Sequence, residues 1–492
     1  MYSLGIDIGS SSIKVALLDI ESGKLAASST NPSREMPISA PQKGFAEQDP
    51  EMWWKYVCEG IRDIASKCNL AKVKSIGVTY QMHGLVAVDR QVCPLRDAII
   101  WCDSRAVSTG ARAFEELGPE RCLSHLLNSP GNFTASKLAW VKENQPEIYS
   151  RVWKFMLPGD YIVYKLTGEV STTETGLSEQ ILWDFRNSRR ADFVADHFGI
   201  GTGLIPDIAP SIGVAAKTTE DFQNLTGIPA GTPVSYRAGD QPNNAFSLNV
   251  LNPGEIAATG GTSGVVYGVT DIPKADVASR VNTFLHVNNT ASSPRLGVLL
   301  CINGTGIMNS WVHHNISPEN GYAEMNEIAR TAPVGCDGLS VIPFGNGAER
   351  VLCNTTAGAS FNGLDLVRHN RSHIFRAVQE GIAYSFRYGI DIMKELGLVP
   401  SVIRAGKANL FLSPLFRTTL ATLTDAKIEL FDTDGALGAA RGAALGAGIY
   451  KSEQEAFSTL TKVGEVEPEP SWKQPLEETY GNWKRILDKS LN

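Results

Sequence analysis

Apolar positions along the chain follow two periods, one typical of strands and one typical of helices. The N-terminal stretch "YSLGIDIGSSSIKVALLDIESGKLAAS" predicts two strands joined by a Gly/Ser turn, then a third strand after the turn "ESGK". Residues 49–68 predict a helix, because Asp49 can cap it and Pro50 suits its first turn. The apolar residues that share one face of this helix are Trp53, Val57, Ile61, Ile64 and Cys68. Such segments alternate along the chain, which predicts an α/β fold.

One pattern occurs twice. The segment "IDIGSSSIKVAL" near the N-terminus returns loosely as "AATGGTSGVVYGV" from Ala257, and both read as strand, Gly/Ser/Thr turn and strand. A repeat of this kind predicts a duplicated domain. We place the boundary near residue 248, which gives domains 1–247 and 248–492.

Composition narrows the class of protein. The chain has 492 residues, 43% of them hydrophobic, enough for two or three domains with real cores. Its net charge of -7 supplies no basic face for nucleic acid or anionic lipid. Asp7 interrupts the region where a secretory signal needs an apolar run, and no apolar stretch approaches the ~20 residues of a membrane span. We therefore expect a cytoplasmic protein with a small-molecule partner.

The cysteines indicate neither a zinc site nor a disulfide framework. None forms a C-x-x-C pair or has a histidine at metal-ligand spacing. We interpret them as reduced thiols in a cytosolic protein. They are Cys58, Cys68, Cys93, Cys102, Cys122, Cys301, Cys336 and Cys353.

Two small-residue turns are candidate phosphate loops. Glycine and hydroxyl residues between two strands let N–H and O–H groups converge on an anion. Each turn alone could be a simple hairpin, but the presence of both favours a polyphosphate site. Asp7, just before the first turn, could hold Mg²⁺ directly or through water. The turn residues are Ser10, Ser11 and Ser12 with Lys14, and Gly261, Thr262 and Ser263.

Asp240, in "YRAGDQPNNAF", has two interpretations. If a short helix starts here, Asp240 or Gln241 is its N-cap and Pro242 lies in its first turn. Alternatively, an aspartate kept ionised by the helix dipole can accept the proton of an alcohol. Such an alcohol would attack the γ-phosphate of a nucleotide.

Eight motifs in order resemble the FGGY carbohydrate kinases of the sugar kinase/Hsp70/actin superfamily, and within that family the xylulokinases most. The resemblance implies two actin-like (ribonuclease H-like) domains with a cleft between them, the first binding sugar and the second binding nucleotide. It implies ATP and Mg²⁺ as cofactors and a homodimer as a possible assembly. The motifs are "FAEQDPEMWW" (45–54), "QMHG" (81–84), "WCDSR" (101–105), "LPGDYIVYKLTGE" (157–169), "GDQ" (239–241), "GGTSG" (260–264), "FGNGAER" (344–350) and "GALGAARGAALGAG" (435–448).

On the sugar side, the resemblance makes Asp240 the catalytic base and Asp7 the acid near the phosphates, and both are candidate Mg²⁺ ligands. Met82 and His83 match a Met-His pair that contacts the ketose in xylulokinases, where glycerol kinases carry Arg-Glu. Gln241 replaces an asparagine common in bacterial xylulokinases. Trp101, Asp103 and Arg105, in the "WxDxR" element, would shape or support the sugar pocket, and a structural role is the alternative for Trp101.

On the nucleotide side, Gly306 matches a family glycine under the nucleotide. Ala405-Gly406-Lys407 stands where the family carries a Gly-Gly-Gly or Gly-Gly-Ala adenosine loop. Gly406 still allows close approach of the backbone to adenine, and Asn409 could bond it. Lys407 is unexpected at this position.

The sequence thus predicts ATP-dependent phosphorylation of a ketopentose, D-xylulose at its 5-hydroxyl. A kinase for another sugar or polyol, such as ribulose, a 6-deoxyketose or gluconate, is an alternative that Gln241 leaves open. Two alternatives from other classes are a nucleotide-driven binding or scaffold protein and a catalytically silent sugar sensor. The presence of "QMHG" and "GDQ" argues against the scaffold, and the phosphate loops argue against the silent sensor.

Overall fold

The computed structural model describes residues 1–491. Its strands are short and mostly buried. They are β1 (Tyr2–Ile8), β2 (Ile13–Asp19), β3 (Leu25–Asn31), β4 (Glu47–Gln48), β5 (Val73–Tyr80), β6 (Val86–Val88), β7 (Ala98–Ile99), β8 (Lys154–Met156), β9 (Ser171–Thr173), β10 (Trp183–Asp184), β11 (Arg189–Arg190), β12 (Asp207–Ala209), β13 (Ile212–Lys217), β14 (Pro233–Gly239), β15 (Glu255–Gly260), β16 (Gly264–Thr270), β17 (Asn282–Leu285), β18 (Leu296–Ile302), β19 (Ser340–Phe344), β20 (Gly358–Asn362), β21 (Val402–Gly406), β22 (Lys427–Phe431) and β23 (Lys462–Val466).

Helices occupy most of the remaining chain. They are α1 (Pro50–Ala65), α2 (Val107–Leu117), α3 (Pro119–His125), α4 (Thr134–Asn144), α5 (Pro146–Tyr149), α6 (Pro158–Thr167), α7 (Glu174–Glu179), α8 (Asp192–His197), α9 (Glu220–Thr226), α10 (Asp240–Ser247), α11 (Gly306–Ile316), α12 (Tyr322–Ala329), α13 (Arg371–Glu395), α14 (Pro414–Thr424), α15 (Gly435–Gly446), α16 (Glu453–Phe457) and α17 (Pro470–Leu491). Short 3₁₀ turns cover Leu70–Lys72, Thr202–Leu204, Cys336–Gly338, Arg350–Leu352 and Asn409–Leu412.

The predicted N-terminal elements are confirmed. Strands β1, β2 and β3 follow one another through the predicted turns, and α1 begins after Asp49, whose side chain accepts the Glu51 N–H. Trp53, Val57, Ile61 and Ile64 are fully buried on one face of α1. The helix ends at Ala65, so Cys68 lies beyond it.

The chain forms two compact units. Unit 1 contains residues 1–249, 284–295 and 433–460, and unit 2 contains residues 250–283, 296–432 and 461–492. Unit 1 therefore includes two segments that follow the boundary predicted near residue 248. The larger of them contains α15, the "GALGAARGAALGAG" motif, whose packing explains the assignment.

Helix α15 lies directly on the sheet of unit 1. A Cβ atom at Gly5 of β1 would stand 1.8 Å from the carbonyl oxygen of Ala436, and one at Gly446 would stand 1.9 Å from that of Ser235 in β14. Glycines on both sides thus bring two main chains into contact. Hydroxyl groups fill the hydrogen-bonding needs of this interface, since Ser3 donates to the Ala440 carbonyl at 2.6 Å.

The central sheet of unit 1 runs in the order β13-β14-β5-β1-β2-β3. Strands β1, β2 and β3 are antiparallel, whereas β1, β5 and β14 are parallel and β13 is antiparallel to β14. The C-terminal ends of β1, β5 and β14 therefore meet at one edge. The residues that follow these ends form the candidate site.

Unit 2 repeats this arrangement with different strands. The order β18-β16-β15-β21-β22-β23 has antiparallel pairs at both sides and the parallel pairs β15–β21 and β21–β22 in the centre. The predicted duplication is thereby confirmed. Helices α13, α14 and α17 contribute to the core of this unit.

Residues 1–491 contain no helix that combines the length and the apolarity needed to cross a membrane.

Candidate active site

Asp7 stands near the end of β1, opposite Lys14 of β2. Lys14 Nζ lies 2.6 Å from Asp434 Oδ2, and Asp434 caps α15 by accepting the Leu437 N–H. A Cβ atom at Gly435 would stand only 2.3 Å from Asp7 Oδ2. Glycine at this position therefore allows the N-terminus of α15 to approach the Asp7 carboxylate, where its dipole favours negative charge.

Two neighbouring carboxylates affect the pKa of Asp7. Burial, followed by the nearby Asp240 and Asp434 carboxylates, raises the pKa of Asp7 to about 7, although Lys14 opposes the shift. Burial also raises the pKa of Asp240 to about 6, against hydrogen bonds from the side chain and backbone of Gln241. Asp240 is therefore mostly ionised at neutral pH, whereas Asp7 is close to half-protonated unless a cation is present.

The prediction that Asp240 or Gln241 caps α10 is wrong. The helix begins at Asp240 itself, Gly239 is the N-cap, and no side chain makes a capping hydrogen bond there. Gln241 instead donates its amide to Asp240 Oδ2 at 3.2 Å. The Asp240 carboxylate is half-buried and not used in capping, so its chemistry remains available.

Met82 and His83 follow the end of β5 and are tightly held. Met82 is 5% exposed and contacts the end of β14, because a Cβ atom at Gly239 would lie 2.6 Å from Met82 Cγ. His83 has a φ of 62°, and its ring lies 4.9 Å from that of Phe133 and 5.3 Å from that of Phe284. The Met-His pair and Asp240 thus occupy neighbouring strand ends.

Two buried ionisable side chains, which sequence reasoning missed, hold the main chain of His83. The N–H donates to Glu179 Oε2 at 3.0 Å, and the carbonyl accepts from Lys137 Nζ at 2.7 Å. Burial lowers the pKa of Lys137 to about 7 and raises that of Glu179 to about 8. No local sequence signal identifies either residue, because their partners lie far away along the chain.

Asp434 was also missed, although a signal existed. An aspartate directly before a run of small helix-forming residues is a typical N-cap, and α15 starts one residue after it. Its position opposite Lys14 follows only from the packing of α15 on β1.

Trp101 and Arg105 have different environments. Trp101 is 54% exposed and its Nε1 donates to Ser10 Oγ at 3.3 Å, so it joins the first phosphate loop. Arg105 is buried, pairs with Asp103 and Glu47 at 2.6 Å each, and stacks 3.7 Å from the ring of Phe45. The geometry gives Arg105 a supporting position, and its predicted contact with sugar stays a prediction.

The first candidate phosphate loop is a tight turn. Gly9 donates its N–H to the Ser12 carbonyl at 3.1 Å, while Gln48 binds the Ser10 carbonyl and Met36 binds that of Ser11. Ser11 is exposed and the hydroxyl residues beside it are half-buried. The loop therefore has a fixed backbone with accessible hydroxyl groups.

The second loop, in unit 2, joins β15 to β16. Its carbonyl at Thr262 accepts the N–H of Ile307 at 3.0 Å, and a Cβ atom at Gly306 would stand 2.1 Å from the Gly261 carbonyl oxygen. The N-terminus of α11 is thus pressed against the Gly261–Ser263 turn. Backbone donors at a helix N-terminus beside such a turn suit a phosphate.

The end of β21 lies next to the same turn. A Cβ atom at Gly261 would have the Asn409 amide nitrogen 3.7 Å away, and Asn409 has a φ of 52°. A Cβ atom at Gly406 would meet no described atom within 4 Å, and Lys407 is exposed. The predicted nucleotide residues Gly261, Gly306 and Asn409 therefore lie close together within unit 2, and Gly406 is the last residue of β21, three positions before Asn409.

Sequence models define the class of protein. The model of the FGGY family of carbohydrate kinases, N-terminal domain, matches residues 2–247, and that of the C-terminal domain matches residues 256–449. The chain belongs to the FGGY family of carbohydrate kinases. It is an enzyme with the two-domain fold of that family, and ATP is the phosphoryl donor that a kinase of this family uses.

Individual relatives narrow the comparison. The chain is 28% identical to a xylulose kinase of Bacillus subtilis over 469 residues, covering 92% of this chain and 90% of the relative. Its fold is similar to that of a xylulose kinase from Rhodospirillum rubrum, with a TM-score of 0.89, 23% identity and 99% coverage of both chains. A gluconate kinase from Lactobacillus acidophilus also reaches a TM-score of 0.89, at 22% identity, covering 99% of this chain and 98% of that one. The fold alone thus does not select the sugar.

Proposed function

We propose that the protein phosphorylates D-xylulose at its 5-hydroxyl with Mg-ATP. The observation that carries this proposal is the Asp240 carboxylate, which is ionisable near neutral pH, not used as a cap, and adjacent to the Met82-His83 pair. Relatives named xylulose kinase over nearly the full chain support the choice of sugar.

In this mechanism, the sugar hydroxyl hydrogen-bonds to Asp240, which accepts its proton as the sugar oxygen forms a bond to the γ-phosphorus. The bond between that phosphorus and the bridging oxygen breaks, and ADP leaves. His83 and Met82 orient the ketose, one by a polar ring and one by an apolar wall. Because the transition state is loose, positioning of the hydroxyl contributes as much as basicity. Residues 1–247 supply the sugar site and the base, and residues 248–492 supply the nucleotide site.

The Asp7 and Asp240 carboxylates fit Mg²⁺ as ligands. Mutual repulsion with Asp240 and Asp434 contributes to the raised pKa of Asp7, and a divalent cation would remove that repulsion. Within residues 1–491 no group of three or more His, Cys, Asp or Glu side chains is arranged to hold a metal ion. Asp7 and Asp240 would hold Mg²⁺. When bound, Mg²⁺ neutralises charge on the phosphates.

The test is ADP release by purified protein with Mg-ATP and a panel of D-xylulose, D- and L-ribulose, L-fuculose, L-rhamnulose, gluconate and glycerol. We expect the highest kcat/KM with D-xylulose and a loss of about 10³-fold in kcat for Asp240→Ala. The matched control is Asp192→Ala, because Asp192 is also the first residue of a short helix in unit 1 but is exposed.

Other outcomes separate the alternatives. If another sugar gives the highest kcat/KM, the result supports the second candidate function, a kinase for a different polyol. Gln241 is the residue that leaves this function open. If no sugar exceeds background ADP release, the protein is a binding or sensor protein and the proposal fails. A homodimer and a cytoplasmic location both stay predictions.

A further inference from the structure

His83 has a backbone conformation that needs support from outside its own segment. Its φ of 62° lies in the left-handed region, which residues with a side chain rarely adopt without compensating contacts. Both polar groups of its peptide unit are satisfied by buried side chains, the N–H by Glu179 and the carbonyl by Lys137. The conformation is therefore set by tertiary contacts.

Glu179 connects the main chain of His83 to the end of β14, the strand that Asp240 directly follows. One carboxyl oxygen, Oε2, accepts the His83 N–H, and the other, Oε1, accepts the Tyr80 hydroxyl at 2.6 Å. A Cβ atom at Gly239 would lie 3.3 Å from Oε1. Because Tyr80 and Gly239 are register partners at the ends of β5 and β14, the carboxyl group bridges the two strand ends.

The main chain of Glu179 also orients the imidazole. His83 Nδ1 lies 3.0 Å from the Glu179 carbonyl oxygen, and a carbonyl can only accept. Nδ1 therefore carries hydrogen, and Nε2 of the neutral ring is an acceptor. Nε2 can therefore accept a hydrogen bond from a sugar hydroxyl group.

We propose that Glu179 is a positioning residue for the sugar, which sets the place and tautomer of His83 relative to Asp240 through its carboxyl and carbonyl groups. The inference rests on the proposed function, since it assumes that Met82 and His83 bind the sugar. Glu179 does not touch the reacting atoms and acts through His83.

The charge state of Glu179 suits this role. Burial raises the pKa of Glu179 to about 8, so near neutral pH the carboxyl group is mainly a neutral acid and adds no second negative charge beside Asp240. Glutamine reproduces its shape and its ability to accept the His83 N–H. Leucine keeps most of its volume and removes both hydrogen bonds. The other titratable or charged groups that face it are Tyr80, His83, Lys137, Asp160, Arg237 and Asp240.

The experiment compares steady-state kinetics of the full-length protein, Glu179→Gln and Glu179→Leu. We expect Glu179→Gln to keep the KM for the sugar within about threefold and Glu179→Leu to raise it about tenfold or more. The KM for ATP should stay within about twofold in both, because the nucleotide loops of unit 2 are unaffected. As a matched control, Glu380→Gln alters another buried glutamate, paired with Arg376 in unit 2, and should lower Tm without changing the KM for the sugar.

A folded Glu179→Leu protein with an unchanged KM for the sugar would overturn the inference, as would an equal rise in both KM values. If Glu179→Leu does not fold, Tyr80→Phe removes one of the two carboxyl hydrogen bonds. It should raise the KM for the sugar about two- to fivefold, and an unchanged value would also overturn the inference.

Two readouts distinguish positioning from general stability. Imidazole ¹⁵N spectra should show the Nδ1–H tautomer of His83 in the unmodified protein and in Glu179→Gln. In Glu179→Leu the main-chain carbonyl that accepts from Nδ1 remains, but loss of the carboxyl bond to the His83 N–H should displace the ring from that carbonyl and give a tautomer mixture. In addition, kcat/KM of the unmodified protein should fall above about pH 8 relative to Glu179→Gln, as the carboxyl group ionises. Absence of sugar kinase activity in the unmodified protein would defeat the proposed function, while the spectra would still test the geometry.

Discussion

Two hairpins with the same topology carry different charges in this molecule. In unit 1, β1 and β2 pair Asp7 with Lys14 next to the serine turn, and in unit 2, β15 and β16 pair Thr259 with Val265 next to Gly261–Ser263. Each hairpin is flanked by a parallel strand on the other side of its first strand. The shared backbone explains how both turns can present N–H groups to phosphate. The difference is that the hairpin of unit 1 pairs an aspartate with a lysine where the hairpin of unit 2 pairs a threonine with a valine.

The neighbours of the two hairpins differ in the same sense. Asp7 has Asp240 and Asp434 close enough to shift its pKa, whereas the turn in unit 2 is pressed against the main chain of Gly306. Charged side chains thus surround Asp7 of the first hairpin. The turn of the second hairpin packs against main-chain atoms of Gly306. Each arrangement can be broken by a single substitution.

The largest effect is expected from removing the charge that distinguishes the hairpins. Asp7→Asn keeps the shape of the side chain and should lower kcat about 10²- to 10³-fold, because the phosphates and their cation lose a carboxylate. The matched control is Thr259→Val at the equivalent hairpin position, which should change kcat less than about threefold. Equal losses in the two variants would show that the hairpins are not chemically different.

The pH dependence of kcat/KM should follow the ionisation of Asp240. Asp240 must be ionised to accept a proton, and its pKa of about 6 in the folded protein places the acid limb of kcat/KM there. Below that pH, the rate should fall about tenfold per unit. A profile that stays level down to pH 5 would exclude Asp240 as the base. The measurement is kcat/KM for the sugar from pH 5 to 9 at saturating Mg-ATP.

The packing in unit 2 predicts the next effect. Gly306→Ala places a methyl group 2.1 Å from the Gly261 carbonyl oxygen, and no side-chain rotation relieves a main-chain contact. We expect a loss of about 1–3 kcal/mol in the free energy of unfolding and a raised KM for ATP. Gly406→Ala is the control, because its methyl group meets open space and should leave Tm unchanged. Denaturant unfolding and ATP titration test both variants, and equal stability would contradict the close packing.

A smaller effect concerns stability and pH. The folded-state pKa of Asp7, about 7, lies above the ordinary value of 3.8, so the folded protein binds this proton more tightly than the unfolded chain. The contribution of the Asp7 proton to the free energy of unfolding is fully present below about pH 4 and is lost as the pH rises through about 7. Asp7→Asn should raise Tm by a few degrees at pH 8, corresponding to about 1–3 kcal/mol, and hardly at pH 4. A Tm difference between the variant and the unmodified protein that does not depend on pH would contradict the shift.

Local patterns predicted the hairpins and α1 because their residues meet close neighbours in the chain. The convergence at the site depends on contacts between distant parts of the chain, 96 positions apart for His83 and Glu179 and 54 positions apart for His83 and Lys137, so no spacing rule reveals it. The small residues of α15 predict a tightly packed helix, but only the tertiary structure shows which sheet it covers. The N-cap error at Asp240 has a simpler cause, a helix start displaced by one residue.

The smallest expected effect tests an exposed charge in the loop that follows β21 in unit 2. Lys407 is exposed one residue after β21, and the same loop brings Asn409 to within 3.7 Å of a Cβ atom at Gly261. An exposed ammonium group there attracts nucleotide phosphates weakly, so Lys407→Ala should raise the KM for ATP about two- to fourfold at low salt and less at high salt. Lys489→Ala, in the last turn of α17, is the exposed control in the same unit. If the KM for ATP is insensitive to Lys407 at every salt concentration, the turn of unit 2 works without charge, and the contrast between the two hairpins becomes sharper.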